Sequence, residues 1–179
     1  VEALRRAGVE VDVLHFWSRA NPINHIKAWQ EIQRRMRSGK YDLIHSQFSH
    51  TLPICRLQWK LPVVSTYRGD DLYGIVGDDG RYTLKGSVLV ALSQLFALFA
   101  DEIMVVSAHM GQRLIRRDYQ LIPSGIDLEH FKPMPRAEAR RRLGWPQDAR
   151  IVLFAAMKSN QLNKRKRLDL AKAAVEKIN

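Results

Sequence analysis

Apolar and polar positions recur along this chain at two periods, and the switches between them mark its elements. Residues 1–8 repeat apolar positions at helical spacing and stop at Gly8, which predicts the last two turns of an amphipathic helix. Residues 9–16, Val-Glu-Val-Asp-Val-Leu-His-Phe, alternate every second position and predict a strand. The helical period returns over 22–37 and ends at Ser38-Gly39. A second strand is expected over 41–46, a helix around 52–59, and a third strand, rich in β-branched residues, over 61–67. The polar segment 68–81 holds Gly69, Gly74, Gly77 and Gly80 and reads as a loop. An apolar run over 88–100 follows, broken by Ser93 and Gln94; it is too short to span a bilayer and reads as a buried helix. A fourth strand over 102–107, a short helix over 109–116 and a strand and turn over 120–125 complete the series.

Strands alternating with helices predict an α/β fold, a Rossmann-like parallel sheet with helices on both faces. Residues 1–125 form the first expected domain. After Gly125 the style changes: 126–135 contains two prolines and reads as an interdomain connector, followed by a short basic helix from Pro135 to Leu143 that stops at Gly144. The connector and short helix are assigned to 126–149. A strand over 150–156 and a helix over 167–178 cannot form a core alone, so 150–179 is expected to be the first βα unit of a second domain. The helix at 1–8 starts mid-pattern, without a cap, which points to a strand and loop ahead of it.

Composition narrows the setting. Hydrophobic residues make up 46% and charged residues 26%, which suits a soluble globular protein rather than a disordered one. The formal net charge is +11, so an acidic partner is expected: a phosphorylated substrate, an anionic membrane face or nucleic acid. A single cysteine, Cys55, excludes an intrachain disulfide, and no signal peptide is evident; both favour the cytoplasm.

Ligands of open parallel sheets bind beyond the carboxyl ends of the strands, where helix amides point. That rule selects Trp17, His45-Ser46-Gln47, Thr66-Tyr67-Arg68-Gly69-Asp70-Asp71, Ser107, Ser124-Gly125 and Lys158. These are mostly hydrogen-bonding groups, as a sugar site requires, although strand-end loops are polar in any case. A dinucleotide site fits poorly, since the first strand ends in His15-Phe16-Trp17 rather than an acidic residue, and no P-loop is present. His45 and His50 have no carboxylate at ligand spacing, so no metal site is expected. Asp70-Asp71 reads as a solvated turn or an acceptor for substrate hydroxyls. The run Asn163-Lys-Arg-Lys-Arg167 is either a solvated charge run, a nucleic-acid patch or a diphosphate clamp at a helix start. No aromatics interleave with it, which disfavours single-strand stacking.

The order of these segments resembles the GT-B family of retaining, nucleotide-sugar-dependent glycosyltransferases, of the family 4 type. Tyr41-Asp-Leu-Ile-His-Ser, Pro62-Val-Val-Ser-Thr-Tyr-Arg-Gly-Asp-Asp71, Ala100-Asp-Glu-Ile-Met-Val-Val-Ser107 and Leu121-Ile-Pro-Ser-Gly-Ile-Asp127 are similar to that family's motifs, in order and at suitable spacings. Arg68 stands where the family usually has histidine. The resemblance implies transfer of a sugar from a nucleoside-diphosphate donor, used as co-substrate with no further cofactor, to a polysaccharide or glycolipid acceptor. It places the acceptor at His45, Thr66, Arg68, Gly69 and Asp70, and the donor diphosphate at Lys166, Arg165 and Lys158. Ser107, Ser124 and Gly125 fall at the hinge and cleft. The family's acidic motif lies beyond Asn179, so no catalytic residue is assigned, and the segment alone is expected to be inactive. A sugar-nucleotide epimerase of the same two-domain shape and a basic nucleic-acid-binding module are the alternatives. The expected setting is the cytoplasm, with peripheral contact at the inner membrane and no nucleic-acid partner.

Overall fold

The computed structural model describes residues 1–15, 21–77, 79–155 and 166–178. Among the described residues, four short strands form one parallel sheet in sequential order: β1 (Ile44–Ser46), β2 (Val63–Tyr67), β3 (Glu102–Val105) and β4 (Gln120–Leu121). In register, Ser46 lies beside Ser65, Tyr67 beside Val105, and Val105 beside Leu121. The helices are α1 (Glu2–Arg6), α2 (Pro22–Met36), α3 (Leu52–Arg56), α4 (Asp70–Tyr73), α5 (Leu84–Ala97), α6 (Ala108–Gly111), α7 (Arg136–Leu143) and α8 (Leu168–Ile178), with a 3-10 turn (Ser49–Thr51) leading into α3. The architecture is the expected α/β, Rossmann-like one.

Period-2 patterning sorts the strand residues onto two faces. Ile44, Ser46, Val63, Ser65, Tyr67, Ile103 and Val105 share one face, and Val63, Tyr67, Ile103 and Val105 are fully buried there. Each of the larger apolar side chains contributes about 1.5–3 kcal/mol by leaving water. His45, Val64, Thr66 and Met104 share the other face, where His45 is exposed and Thr66 buried. A latch at the opposite end of the sheet ties β2 to the chain entering β3. Asp101 accepts from the Val63 amide at 2.6 Å and takes both Nη groups of Arg56 at 2.9 and 3.0 Å. These contacts, the Val63 amide first, hold the Asp101 carboxyl below its ordinary range.

Where local signals are complete, the elements form as read. Asn21 caps α2 by accepting from the Ile23 amide at 2.9 Å, with Pro22 in the first turn, and Ala28 and Ile32 face the core. Gly144 ends α7 in the left-handed region at φ 65°. The buried Arg140 then donates to the carbonyls of Pro146, Gln147 and Ala149, tying the following turn to the helix.

Three expectations change. The apolar helix, α5, is not buried throughout: Gly86, Ser93 and Ala97 are buried and Phe96 packs partly against the core, while Leu84, Val88, Leu95 and Leu98 are 82, 50, 49 and 56% exposed. Small residues on its inner side allow close approach. A Cβ at Gly86 would lie 2.4 Å from the Ile75 amide nitrogen. The glycine-rich loop 68–81 contains a helical turn, α4, and a bridge between Val76 and Tyr82. The expected strands at 9–16 and 150–156 join no ladder among their described residues, 9–15 and 150–155. Strand regularity needs a neighbour to exchange hydrogen bonds with. The Val11 carbonyl is taken instead by Arg5 at 2.9 Å and that of Val13 by Arg35 at 3.5 Å. Val152 and Phe154 line a groove with Leu168, Ala171 and Val175 of α8, while Leu153 is 75% exposed.

Candidate functional site

β1 and β2 end side by side, so the loops that leave them meet. On β1, His45 sits on the opposite sheet face from the core, and Thr66 of β2 shares that face. His45 Nε2 and Thr66 Oγ1 are 2.7 Å apart. Just past the strand, the Gln47 amide nitrogen is 3.3 Å from the His45 ring, and its Oε1 accepts from Arg68 Nη2 at 3.0 Å. The result is one polar chain, Thr66–His45–Gln47–Arg68, running across two adjacent strand ends. Partial burial lowers the His45 pKa, and the Arg68 cation lowers it further. The ring is therefore neutral at pH 7, with one nitrogen to donate and one to accept. Arg68 is exposed and stays charged.

The backbone here is held by a carboxylate. Asp71 is fully buried; its Oδ1 accepts from the Ser49 hydroxyl at 2.5 Å and the Ser49 amide at 3.1 Å, and its Oδ2 from the Arg68 amide at 2.6 Å. Burial raises its pKa, against the pull of Ser49 and the Arg68 amide, and His50 Nε2 stands 3.7 Å away. Neither of the two readings of Asp70-Asp71, a solvated turn or a substrate acceptor, describes Asp71. Its lone pairs are taken by the protein. Asp70 is exposed in the first turn of α4. Gly69 adopts φ 58°, in the left-handed region, which lets the chain turn from Arg68 into α4.

The other selected residues fall in several places. Ser107 caps α6, its Oγ accepting from the Met110 amide at 3.4 Å. Ser124 and Gly125 are exposed in the irregular segment after β4. Lys166 is exposed just ahead of α8, and its neighbour Arg167 is paired with Asp169 at 2.8 Å. Trp17, Lys158 and Arg165 lie outside the described residues. Sequence reasoning missed a second group. Tyr73 ends α4, and its hydroxyl is 2.8 Å from His109 Nδ1. The two rings stack at 5.6 Å, and the Arg113 guanidinium lies 4.9 Å from the Tyr73 ring centre. The signal available was the four-residue spacing of His109 and Arg113 directly after the β3 end. Among the described residues, no three His, Cys, Asp or Glu side chains converge as a metal-ligand set. No described helix is long and apolar enough to cross a membrane. Burial pushes the Cys55 thiol up to about 11, so it is not poised as a nucleophile.

Residues 1–130 match the family model for Glycosyltransferase Family 4. Among curated relatives, a D-inositol 3-phosphate glycosyltransferase of Geodermatophilus obscurus is 31% identical over 127 residues, covering 65% of this chain and 28% of that protein. Proteins of the same name from Streptomyces scabiei and Streptomyces coelicolor are 32% and 28% identical over 133 and 142 residues, covering 66% of this chain in each case. These matches span 29 and 31% of the relatives' own lengths, so the chain corresponds to under a third of each.

Proposed function

The chain belongs to glycosyltransferase family 4, and from that premise we propose that it supplies the acceptor side of an enzyme that moves a sugar from a nucleoside-diphosphate donor. The polar chain Thr66–His45–Gln47–Arg68, at adjacent strand ends, is the observation that carries this reading. Neutral His45 and Thr66 offer a sugar both a donor and an acceptor, the pairing that hydroxyl groups need. Arg68 offers a fixed fork to an anionic group and takes no part in proton transfer, because its guanidinium does not deprotonate. The relatives' names specify a phosphorylated inositol. A phosphate-bearing acceptor would meet the exposed guanidinium of Arg68 here.

In this reading residues 1–125 form the acceptor-side unit, 126–149 the connector, and 150–179 the start of the donor-side unit. The anomeric carbon exchanges its bond to the departing diphosphate for one to the acceptor oxygen, with retention of configuration, and the proton of the acceptor hydroxyl leaves with the diphosphate oxygen. Lys166, with Arg165 and Lys158, is assigned the role of stabilising the charge of the diphosphate as it leaves. Asp70 and Gly69 border the acceptor, and Ser107, Ser124 and Gly125 border the cleft. The net charge of +11 supports work at an anionic membrane surface on the cytoplasmic side.

The test is nucleoside-diphosphate release by the intact protein. A panel of nucleotide sugars is crossed with inositol phosphate, glycolipid and polysaccharide acceptors. Acceptor-dependent release supports the reading. Conversion of the donor sugar to its epimer without any acceptor, or binding only to generic DNA with a steep salt dependence, overturns it.

A further inference from the structure

Four residues of the polar chain can present a substrate only if two loops keep their spacing, and neither loop is a regular element. Gln47 is in the segment after β1, and Arg68 in the segment after β2. We propose that Asp71 is the positioning residue for this site: its buried carboxylate locks the two loops together and sets the separation of Gln47 and Arg68. The inference rests on the acceptor reading given above.

All three groups on the Asp71 oxygens are donors, two from Ser49 and one from the Arg68 backbone. The first pair comes from the start of the 3-10 turn that closes the loop after β1 and the last from the loop after β2, so one side chain spans both. The clamp is itself anchored from below. Ser49 Oγ lies 2.8 Å from Ser93 Oγ of α5, and the Tyr67 hydroxyl donates to the Ser93 carbonyl at 2.8 Å. Asp71, Ser49, Ser93 and Tyr67 are all fully buried. Water therefore cannot replace a lost partner, and the loops hold their positions before any ligand arrives. A site assembled this way binds its acceptor without first ordering the loops, a cost that weakens binding.

An acceptor-only group is required at this position. Asparagine has nearly the same shape but carries one NH2, which would face either the two Ser49 donors or the Arg68 amide. Asp71→Asn thus frees one loop at almost constant volume. Ser49→Ala is the milder companion, removing the hydroxyl and leaving the Ser49 amide to Asp71.

The experiment uses the intact protein, with acceptor and donor kinetics and amide hydrogen exchange measured on the same samples. Asp71→Asn should raise the acceptor KM by about tenfold, the equivalent of one lost hydrogen bond to a charged group. The donor KM should stay within about twofold of the wild-type value, and Ser49→Ala should move the acceptor KM in the same direction by less. The amides of Ser49 and Arg68 should exchange faster while those of β3 are unchanged. Faster exchange throughout the sheet, or a fall in kcat with the acceptor KM unchanged in both variants, would overturn the positioning role. Wild-type protein that transfers no sugar would overturn the acceptor reading and this role with it. An active wild type with an unaltered Asp71→Asn acceptor KM overturns the positioning role alone.

Discussion

Thr66→Val separates what the site needs from what the fold needs. The substitution keeps the β-branched shape in β2 and removes one oxygen, the atom 2.7 Å from His45 Nε2. A neutral hydrogen bond of this kind is worth about 0.5–1.5 kcal/mol net. His45 is only partly buried, so water can reach its freed nitrogen. Thr66 itself is only 5% exposed, and the new methyl returns about 0.8 kcal/mol by burial. The two terms nearly cancel, leaving stability within about 1 kcal/mol of the wild type and Tm within about 4 °C for a chain of this size. Binding has no such compensation. With its ring unfixed, His45 loses its orientation toward a sugar hydroxyl, and the acceptor KM should rise between about twofold and tenfold. Thermal melts paired with initial rates in the intact protein check both halves. A Tm drop beyond about 8 °C would show that the Thr66 hydroxyl is part of the fold, since that exceeds any net loss one bond can produce. A wild-type acceptor KM would show that His45 does not hold substrate.

Further outcomes follow from neighbouring residues. Arg68→Lys keeps the charge but loses the fork, so the acceptor KM should rise with the pH profile unchanged. Arg68→Gln removes the cation that depresses His45, and an NMR titration should then show the His45 pKa moving up toward the ordinary histidine value. An unmoved titration would mean that Arg68 does not reach His45 electrostatically. Because the folded-state pKa of Asp101 is depressed, its contribution to stability is fully present above the ordinary carboxylate value and is lost as pH falls through the lowered one. Asp101→Asn should lower Tm at pH 7 and flatten that acid limb, as melts across pH 2–7 would show; an unchanged limb refutes the assignment. Gly111→Ala would place a Cβ 2.2 Å from the Tyr119 ring, and overpacking of this kind costs about 1–3 kcal/mol. Its Tm should fall by about 2–12 °C, and an unchanged Tm would mean that the Tyr119 ring yields freely.

Much of the architecture could be read from local signals, and the differences trace to non-local ones. α2 is legible because its start is written in adjacent residues, Asn21 and Pro22. The inner strand β2 is legible because a β-branched run such as 63–67 suits a buried parallel position. Residues 9–15 alternate just as clearly, yet alternation does not say whether a neighbouring strand lies alongside. α5 misled for a related reason: hydrophobicity marks what can be buried, while Gly86, Ser93 and Ala97 decide which side approaches the core. At the site, the strand-end rule found His45, Thr66 and Arg68, whose partners follow from the pairing of β1 with β2. It could not separate Asp70 from Asp71, since two adjacent aspartates look alike until one points inward to Ser49. The Tyr73–His109–Arg113 group escaped because its members lie 36 and 4 residues apart, and only the β2–β3 pairing brings them together.

The sequential order of the sheet bears on how this region is made. Each described strand pairs with the next to be synthesised, so every new strand finds its docking edge already exposed. From Ile44 to Leu121 the ribosome adds strands at roughly 5–20 residues per second, a span of several seconds, while local docking is far faster. The Asp71 clamp can close once β2 and its loop have emerged, although the Ser93 anchor arrives only with α5. Sequential order therefore lets each pairing in this sheet form without waiting for a distant segment of the chain, and the loops that carry His45, Gln47 and Arg68 depend only on the first two of its described strands.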